Sequence, residues 1–323
     1  MNYIVFDLEW NQCPDGKQHE NPALPFEILE IGAIKLNNEK EIIDRFHEYI
    51  RPVVYPRLHP KTDEMLHFTM ETLLAADPFD QVIERFRIWC GEEAQFCTWG
   101  SLDLLELQRN MRFHNVPDFL PFPLKYFDVQ KLFSLAFEDG KSRRTLEYAA
   151  DFLSLEKNIP FHEALSDAHY TALVLGHLTD EQIRSWFSID YFRNPKKRKD
   201  EIYTVFHTYS KFVSKEFSSK TELMRDRKVA STRCYLCGRH AKKVIRWFQS
   251  GGKNYSCLAC CPEHGYLKGK IRIKKAEDNT GFFCVKTLKL IDEDRAQEVF
   301  SRQETLRERK RLRRHTAKMQ EKQ

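Results

Sequence analysis

Along the first fifty residues the apolar positions fall into short runs of strand character. Tyr3 to Phe6 is a continuous apolar stretch, and residues 3–8 read as a buried strand. FEILEIGAIKLN carries a second strand pattern, and EIIDRFHEYIRP a third that Pro52 closes. The three are close enough in sequence to form a meander. The period then changes. In ETLLAADPFDQVIERFRIWCG, Val82, Ile83, Phe86 and Trp89 recur at helical spacing. AQFCTWG predicts a short strand, and SLDLLELQRNMRFH a helix starting from Ser101. KYFDVQKLFSLAF and TLEYAADFLSL continue the alternation, and HEALSDAHYTALVLGHL predicts a long amphipathic helix. Strands followed by alternating helices and strands imply an α/β sheet covered by helices.

Beyond this region the pattern changes. Residues 1–180 form one expected domain. Residues 181–229 are charged and predict a mostly helical linker, with NPKKRKD as its boundary signal. Residues 230–293 hold a cysteine cluster and several β-like runs, the pattern of a small β-rich module. The basic tail, 294–323, has too few large apolar residues to pack by itself, which predicts a solvated helix or disorder. No internal repeat is visible.

Charge sharpens this division. The net charge of +5 conceals two opposed halves. Residues 1–180 hold 17 Lys and Arg against 30 Asp and Glu, a net of −13; residues 181–323 hold 35 against 17, a net of +18. The basic half is therefore a candidate for contact with a polyanion. No run of eighteen apolar residues indicates a membrane span. The N-terminal MNYIVFDLEW lacks a basic region and a small-residue cleavage site, so it does not read as a signal peptide. Nine cysteines without a secretory signal point to a reducing, cytoplasmic setting, where clustered cysteines more often bind metal than form disulfides.

The first strand ends in two acids, Asp7 and Glu9. Residues two apart on a strand share a face, so these carboxylates converge, repel and raise each other's pKa. A divalent cation between them relieves that repulsion, and hard oxygen donors suit Mg²⁺ or Mn²⁺. Taken alone, the pair reads more readily as a strand end whose acids face water. Further along, Asp103 follows a strand ending in Trp99 and Gly100, and His162 and Asp167 stand near the start of a late helix. Asp128 also ends a strand pattern, but it comes after the Asp103 helix. His169, two residues past Asp167, reads as a helix surface residue.

The order D-x-E, then Asp103, then H-x4-D resembles the DEDDh family of 3′–5′ exonucleases, the DnaQ-like or RNase T-like superfamily. LEIGAIKL resembles the family's second strand, and YFDVQKLF its segment between the second and third motifs. The resemblance covers roughly residues 1–180, and the Trp–Gly before Asp103 is most similar to the KapD-like branch. It implies an RNase H-like mixed β-sheet flanked by helices. It also implies a phosphodiester hydrolase using two metal ions about 3.5–4 Å apart to clamp the attacking and leaving oxygens. Asp7 would bridge the two ions. Glu9 and Asp167 would complete the site of one, and Asp103 would hold the other, directly or through water. His162 would act as general base, since a histidine's ordinary pKa of about 6.5 lies near working pH. Leu8 and Trp10 flank Glu9 and are candidates to contact the terminal nucleotide, where aromatic stacking contributes about 1–3 kcal/mol per base. For Trp10, packing against the sheet edge is the other reading.

A second cluster lies in CYLCGRH and NYSCLACCPEHGYLKGKIRIKK. Cys234 and Cys237 have the spacing of a zinc knuckle. Two partner pairs share that spacing, Cys257 with Cys260 and Cys261 with His264. The turn after the second ligand of a knuckle needs positive φ, and Gly238 and Gly265 follow Cys237 and His264. The preferred set is therefore Cys234, Cys237, Cys261 and His264 around one structural Zn²⁺, with Cys257 and Cys260 as the alternative pair. Around it, KKVIRWFQ, KGKIRIKK and KTLKL alternate basic and apolar residues, with Trp247, Phe248 and Tyr255 nearby. That suits nucleic acid, or docking to the exonuclease domain or another protein. The whole predicts a metal-dependent exonuclease acting on single-stranded 3′ ends, RNA favoured over DNA, without a membrane partner. Alternatives are a proofreading or repair exonuclease on DNA, and an idle nucleic-acid-binding or regulatory protein on the same fold.

Overall fold

The structure is a computed structural model that describes residues 2–65, 67–276 and 280–320. The chain forms two compact units, Met1–Asp190 and Tyr191–Gln323.

The first unit opens with β1 (Asn2–Asn11), β2 (Glu27–Leu36) and β3 (Ile42–Tyr49). They pair antiparallel, as the expected meander. Helices α1 (Pro60–Met65), α2 (Met70–Ala75) and α3 (Phe79–Cys90) follow. Then come β4 (Ala94–Thr98), α4 (Leu102–Phe113), β5 (Lys125–Asp128), α5 (Val129–Phe137) and α6 (Leu146–Phe152). The unit closes with α7 (Ala164–Gly176), α8 (Asp180–Ser185) and β6 (Ser188–Ile189). The sheet order is β3-β2-β1-β4-β5-β6, with β4 parallel to β1 and to β5. This is the mixed α/β sheet flanked by helices that the pattern predicts.

The pleat of β1 divides the core. Ile4, Phe6 and Leu8 pack on one face with Val82, Ile83 and Phe86 of α3 and with Leu104 and Leu107 of α4. Val5 faces the other side, with Leu132 and Phe133 of α5 and Tyr170 and Leu175 of α7. Burying each such side chain contributes about 1.5–3 kcal/mol. β2 is buried along almost its whole length because helices cover both of its faces. Helix α7 departs from the amphipathic pattern expected of it. Ala164, Ser166, Ala168, Tyr170, Thr171, Ala172, Val174 and Leu175 are all buried, so it is a core helix lying on β1 and β2. Its small residues allow that close approach.

The second unit has β7 (Ile202–Val205), β8 (Tyr209–Val213), α9 (Lys220–Arg225) and α10 (Arg227–Ala230). After them come β9 (Lys242–Gly251), β10 (Asn254–Cys261), β11 (Gly265–Lys275) and β12 (Phe282–Leu290). The strands form one antiparallel sheet in the order β7-β8-β12-β11-β10-β9. A mostly helical linker over 181–229 is therefore not what forms. Residues 202–213 supply two strands, and β8 pairs with β12. Phe212 and Val213 are buried, and such a short apolar run among charges carries no periodicity that separates strand from helix. The expected tail is helical: α11 (Glu293–Gln320) seats Ala296 and Val299 against Ile245 and Leu258. Residues 321–323 of that tail lie outside the described residues. Among the described residues, no helix is long and apolar enough to cross a membrane.

Candidate active site and a cysteine–histidine cluster

Asp7 and Glu9 lie on the face of β1 that α7 covers, opposite Ile4, Phe6 and Leu8. Asp7 pairs across the ladder with Gly32. A Cβ on Gly32 would meet the backbone nitrogen of Leu165 at 2.0 Å, so only glycine admits the start of α7 at this depth. That approach lowers Asp167, in the first turn of α7, onto the two strand acids. Ligand oxygens of Asp7, Glu9 and Asp167 all lie within 4.8 Å of one another.

Asp103 stands outside that trio but inside its field. It occupies the first turn of α4, is buried, and accepts hydrogen bonds from its own backbone N–H and that of Leu8. All four acids are pushed up. Burial is the main cause for Asp7, followed by the charges of Asp103, Asp167 and Glu9, and its pKa stands well above the usual carboxylate range. Burial and the charge of Glu30 carry Glu9 to about 8. Burial, opposed by the two N–H groups, sets Asp103 at about 7. Burial raises Asp167 to about 6 even though His162 lies close and donates its backbone N–H to the carboxylate. The Oδ1 atom of Asp167 is buried with no hydrogen-bond partner among the described residues.

His162 is exposed and precedes α7 at φ +67°, a left-handed conformation uncommon for a side-chain-bearing residue. His169 is half-buried on α7, its ring 5.9 Å from that of Tyr170. Asp128 caps α5 by accepting from the Lys131 N–H at 2.9 Å, a structural role. Leu8 corrects an expectation. At 2% exposure its side chain belongs to the core and has little surface for a nucleotide, because the pleat turns it away from its acidic neighbours. Trp10 follows an irregularity in the β1–β2 ladder, packs against Phe26 at 5.7 Å and, half-buried, against the core cluster that holds Leu8.

Pattern reading missed Glu30. It is the cross-strand partner of Glu9, and it is 1% exposed. Its Oε1 lies 2.7 Å from His47 Nε2, while Oε2 is buried without a partner among the described residues. The hydrogen bond to Glu30 raises the pKa of His47 despite burial. The available signal was a single acid inside the apolar run LEIGAIKL.

In the second unit, ligand atoms of Cys234, Cys237, Cys261 and His264 also lie within 4.8 Å of one another. Gly238 and Gly265 take φ +72° and +76°, the turn geometry their positions require. The Gly238 N–H closes the first turn onto the Cys234 carbonyl at 2.9 Å. Cys237 and Cys261 sulfurs are 3.6 Å apart, and His264 Nδ1 lies 3.8 Å from Cys234 and 3.7 Å from Cys261. Four ligands held about 2.3 Å from one centre in a tetrahedron stand about 3.8 Å apart. Burial would raise the Cys261 thiol, but backbone N–H groups of Glu263 and His264 and the neighbouring side chains bring it to about 6. The alternative pair is not gathered. Cys257 points at Gly269, and Cys260 Sγ rests 3.8 Å from the Cys261 carbonyl. All nine cysteines are free thiols.

Fold and acids together define a nuclease of the mixed-sheet, carboxylate-lined kind. Residues 4–175 match the family model RNase_T, described as Exonuclease, and the chain belongs to that family. The matched segment takes in Asp7, Glu9, Asp103, His162 and Asp167. The chain is 28% identical over 182 residues to the probable 3′-5′ exonuclease KapD of Bacillus subtilis (strain 168), covering 55% of this chain and 84% of that one. It is 34% identical over 111 residues to human ERI1 exoribonuclease 3, which is 32% of this chain and 31% of the relative's length. Among solved structures it is similar to the nuclease domain of 3'hExo, a DEDDh family member, bound to rAMP. There the TM-score is 0.49 with 19% identity, covering 58% of this chain and 96% of that one.

Proposed function

We propose that this chain hydrolyses phosphodiester bonds from the 3′ end of single-stranded nucleic acid, RNA in preference to DNA, with divalent metal ions. The observation that carries the reading is the convergence of Asp7, Glu9 and Asp167 within 4.8 Å, beside a buried and unpartnered Asp167 oxygen. Uncompensated carboxylates this close repel one another. The donor set is all oxygen, which fits Mg²⁺ or Mn²⁺. Asp7, Glu9 and Asp167, with Asp103, would hold two such ions. When bound, they supply positive charge for the attacking and leaving oxygens of the displaced phosphate ester.

The chain's own groups do the rest. His162, exposed beside Asp167, is the general base that removes the proton of the attacking water. Its backbone N–H favours the charged form of the Asp167 carboxylate. Trp10 offers a partly accessible ring for the terminal base. Glu30 sets the electrostatics of Glu9 from the adjacent strand and in turn holds His47.

The Cys234, Cys237, Cys261 and His264 cluster is assigned to one structural Zn²⁺, supported by its near-tetrahedral separations. A cysteine cluster given over to metal suits a reducing compartment, and we assign the cytoplasm. The RNA preference draws on human ERI1 exoribonuclease 3, of which the chain spans under a third. Degradation of end-labelled single-stranded RNA and DNA, side by side, with and without added Mg²⁺ or Mn²⁺, tests the reading. Faster, metal-dependent loss of RNA from its 3′ end supports it; metal-independent cleavage contradicts it.

A further inference from the structure

The second unit carries a groove that the hydrolytic site does not use. It lies between β9 and α11 and has a volume of about 700 Å³. Helix α11 is anchored at its first turns, where Ala296 and Val299 pack on Ile245 and Leu258 and Arg302 donates to the Ser250 carbonyl at 2.9 Å. Its next turns run on beyond that contact. There Arg307, Arg309, Lys310 and Arg313 face Arg246 of β9 across the groove. The half-buried rings of Trp247 and Phe248 also line it, and the Trp247 Nε1–H is fixed to the Ala230 carbonyl at 3.0 Å.

Arg246 also borders a second concavity of about 620 Å³, lined by Arg225, Arg227 and Lys243. Arg246 is common to both, so the two concavities adjoin at β9, and their basic side chains, from α9, α10, β9 and α11, make up a track past that strand. No Asp or Glu among the described residues lines either part. α11 carries Glu293, Asp294, Glu298, Glu304 and Glu308, and none of them is among the groove's lining residues, although Glu298 lines a smaller concavity beside Phe248 and Arg302. Like charges gathered in this way repel one another, and a polyanion relieves the repulsion.

We propose that this track holds a single strand of RNA by its phosphates, a second binding site apart from the carboxylate centre. The proposal rests on reading the chain as a nuclease of single-stranded RNA. Guanidinium groups suit phosphate oxygens, and accessible aromatic rings beside them suit unstacked bases of any sequence. An anionic lipid surface fits less well. From 303 to 313 only Leu306 and Leu312 are large and apolar, too few for a face that inserts into a membrane.

The test uses the full chain and a 30-nucleotide single-stranded RNA with phosphorothioate linkages at its 3′ end, so that binding is measured without degradation. Binding of wild type is compared with that of the combined variant Arg307→Ala, Lys310→Ala, Arg313→Ala at several salt concentrations. Alanine preserves helix propensity, and circular dichroism checks it. Three lost phosphate contacts should flatten the slope of log affinity against log salt by about 2, and weaken binding on the order of 100-fold near 0.1 M salt. A second variant, Arg225→Ala with Arg227→Ala, should lose part of that affinity from the other end of the track. Hydrolysis of a trinucleotide should be unchanged in both. Unaltered affinity and slope in both variants would overturn the proposal and leave a protein partner as the occupant. Failure of wild type to hydrolyse the trinucleotide would instead count against the nuclease reading, and the binding result would stand apart from it.

Discussion

Gly32 on β2 and Leu165 on α7 approach so closely that a Cβ on the glycine would lie 2.0 Å from the leucine backbone nitrogen. The same glycine is the cross-strand partner of Asp7. The contact therefore sets the height of α7, and with it Asp167, above the strand acids.

Gly32→Ala should consequently damage the site without touching a carboxylate. No rotamer relieves a clash with backbone, so α7 must shift. Overpacking of this kind costs about 1–3 kcal/mol, and a shift of about 1 Å in a catalytic group can cost about 100-fold in turnover. Melting temperature and turnover should both fall. A variant that melts lower but turns over normally would separate α7 from the chemistry.

The raised acids predict an inverted pH dependence of stability. Glu9, Asp103 and Asp167 stand at about 8, 7 and 6 in the fold, above their ordinary values of 4.5, 3.8 and 3.8. The folded state thus binds protons more tightly than the unfolded chain. Their contribution to stability is full below about pH 4 and is lost as pH rises toward 8. Without added Mg²⁺ or Mn²⁺, the first unit should melt progressively lower from pH 5 to 8. Mg²⁺ at pH 8 should restore it. Asp7→Asn should flatten the pH dependence and raise stability at pH 8, because it removes one of the mutually repelling charges. Scanning calorimetry reads all three effects, and a flat profile would contradict the cluster's electrostatics.

His162→Gln should lower turnover by roughly 10²–10⁴-fold. RNA affinity should be largely kept, because the exposed imidazole supports no core packing. Equal losses in binding and turnover would make the residue structural.

The zinc assignment separates cysteines by position. Cys234→Ser and Cys261→Ser should each abolish stoichiometric zinc in the purified protein. Cys257→Ser should keep it, although a buried hydroxyl there costs stability of about 1–3 kcal/mol. Metal analysis of the three variants decides between the two ligand sets. Zinc lost with Cys257 would revive the all-cysteine alternative.

Much of this was legible in the chain. The D-x-E pair exposed its geometry because a strand's period of two fixes which side chains share a face. Gly238 and Gly265 pointed to Cys261 and His264 because positive φ is a local requirement. Residues 202–213 hid their strands, since β8 is defined by pairing with β12 some seventy residues away. Glu30 hid for a related reason: only the register that sets it opposite Glu9 turns a lone acid into part of the site. Leu8 misled because proximity to Glu9 in sequence is opposition across the pleat.

The central claim is that the acids of β1, α4 and α7 form one hydrolytic centre working from the 3′ end. The most direct measurement follows a single-stranded RNA labelled at its 5′ or 3′ terminus, with Mg²⁺, for wild type and Asp167→Asn. Wild type should release the 3′ label at once as a mononucleotide and shorten the 5′-labelled strand stepwise, while the variant should do neither. Internal fragments from wild type, or normal turnover by the variant, would contradict the account.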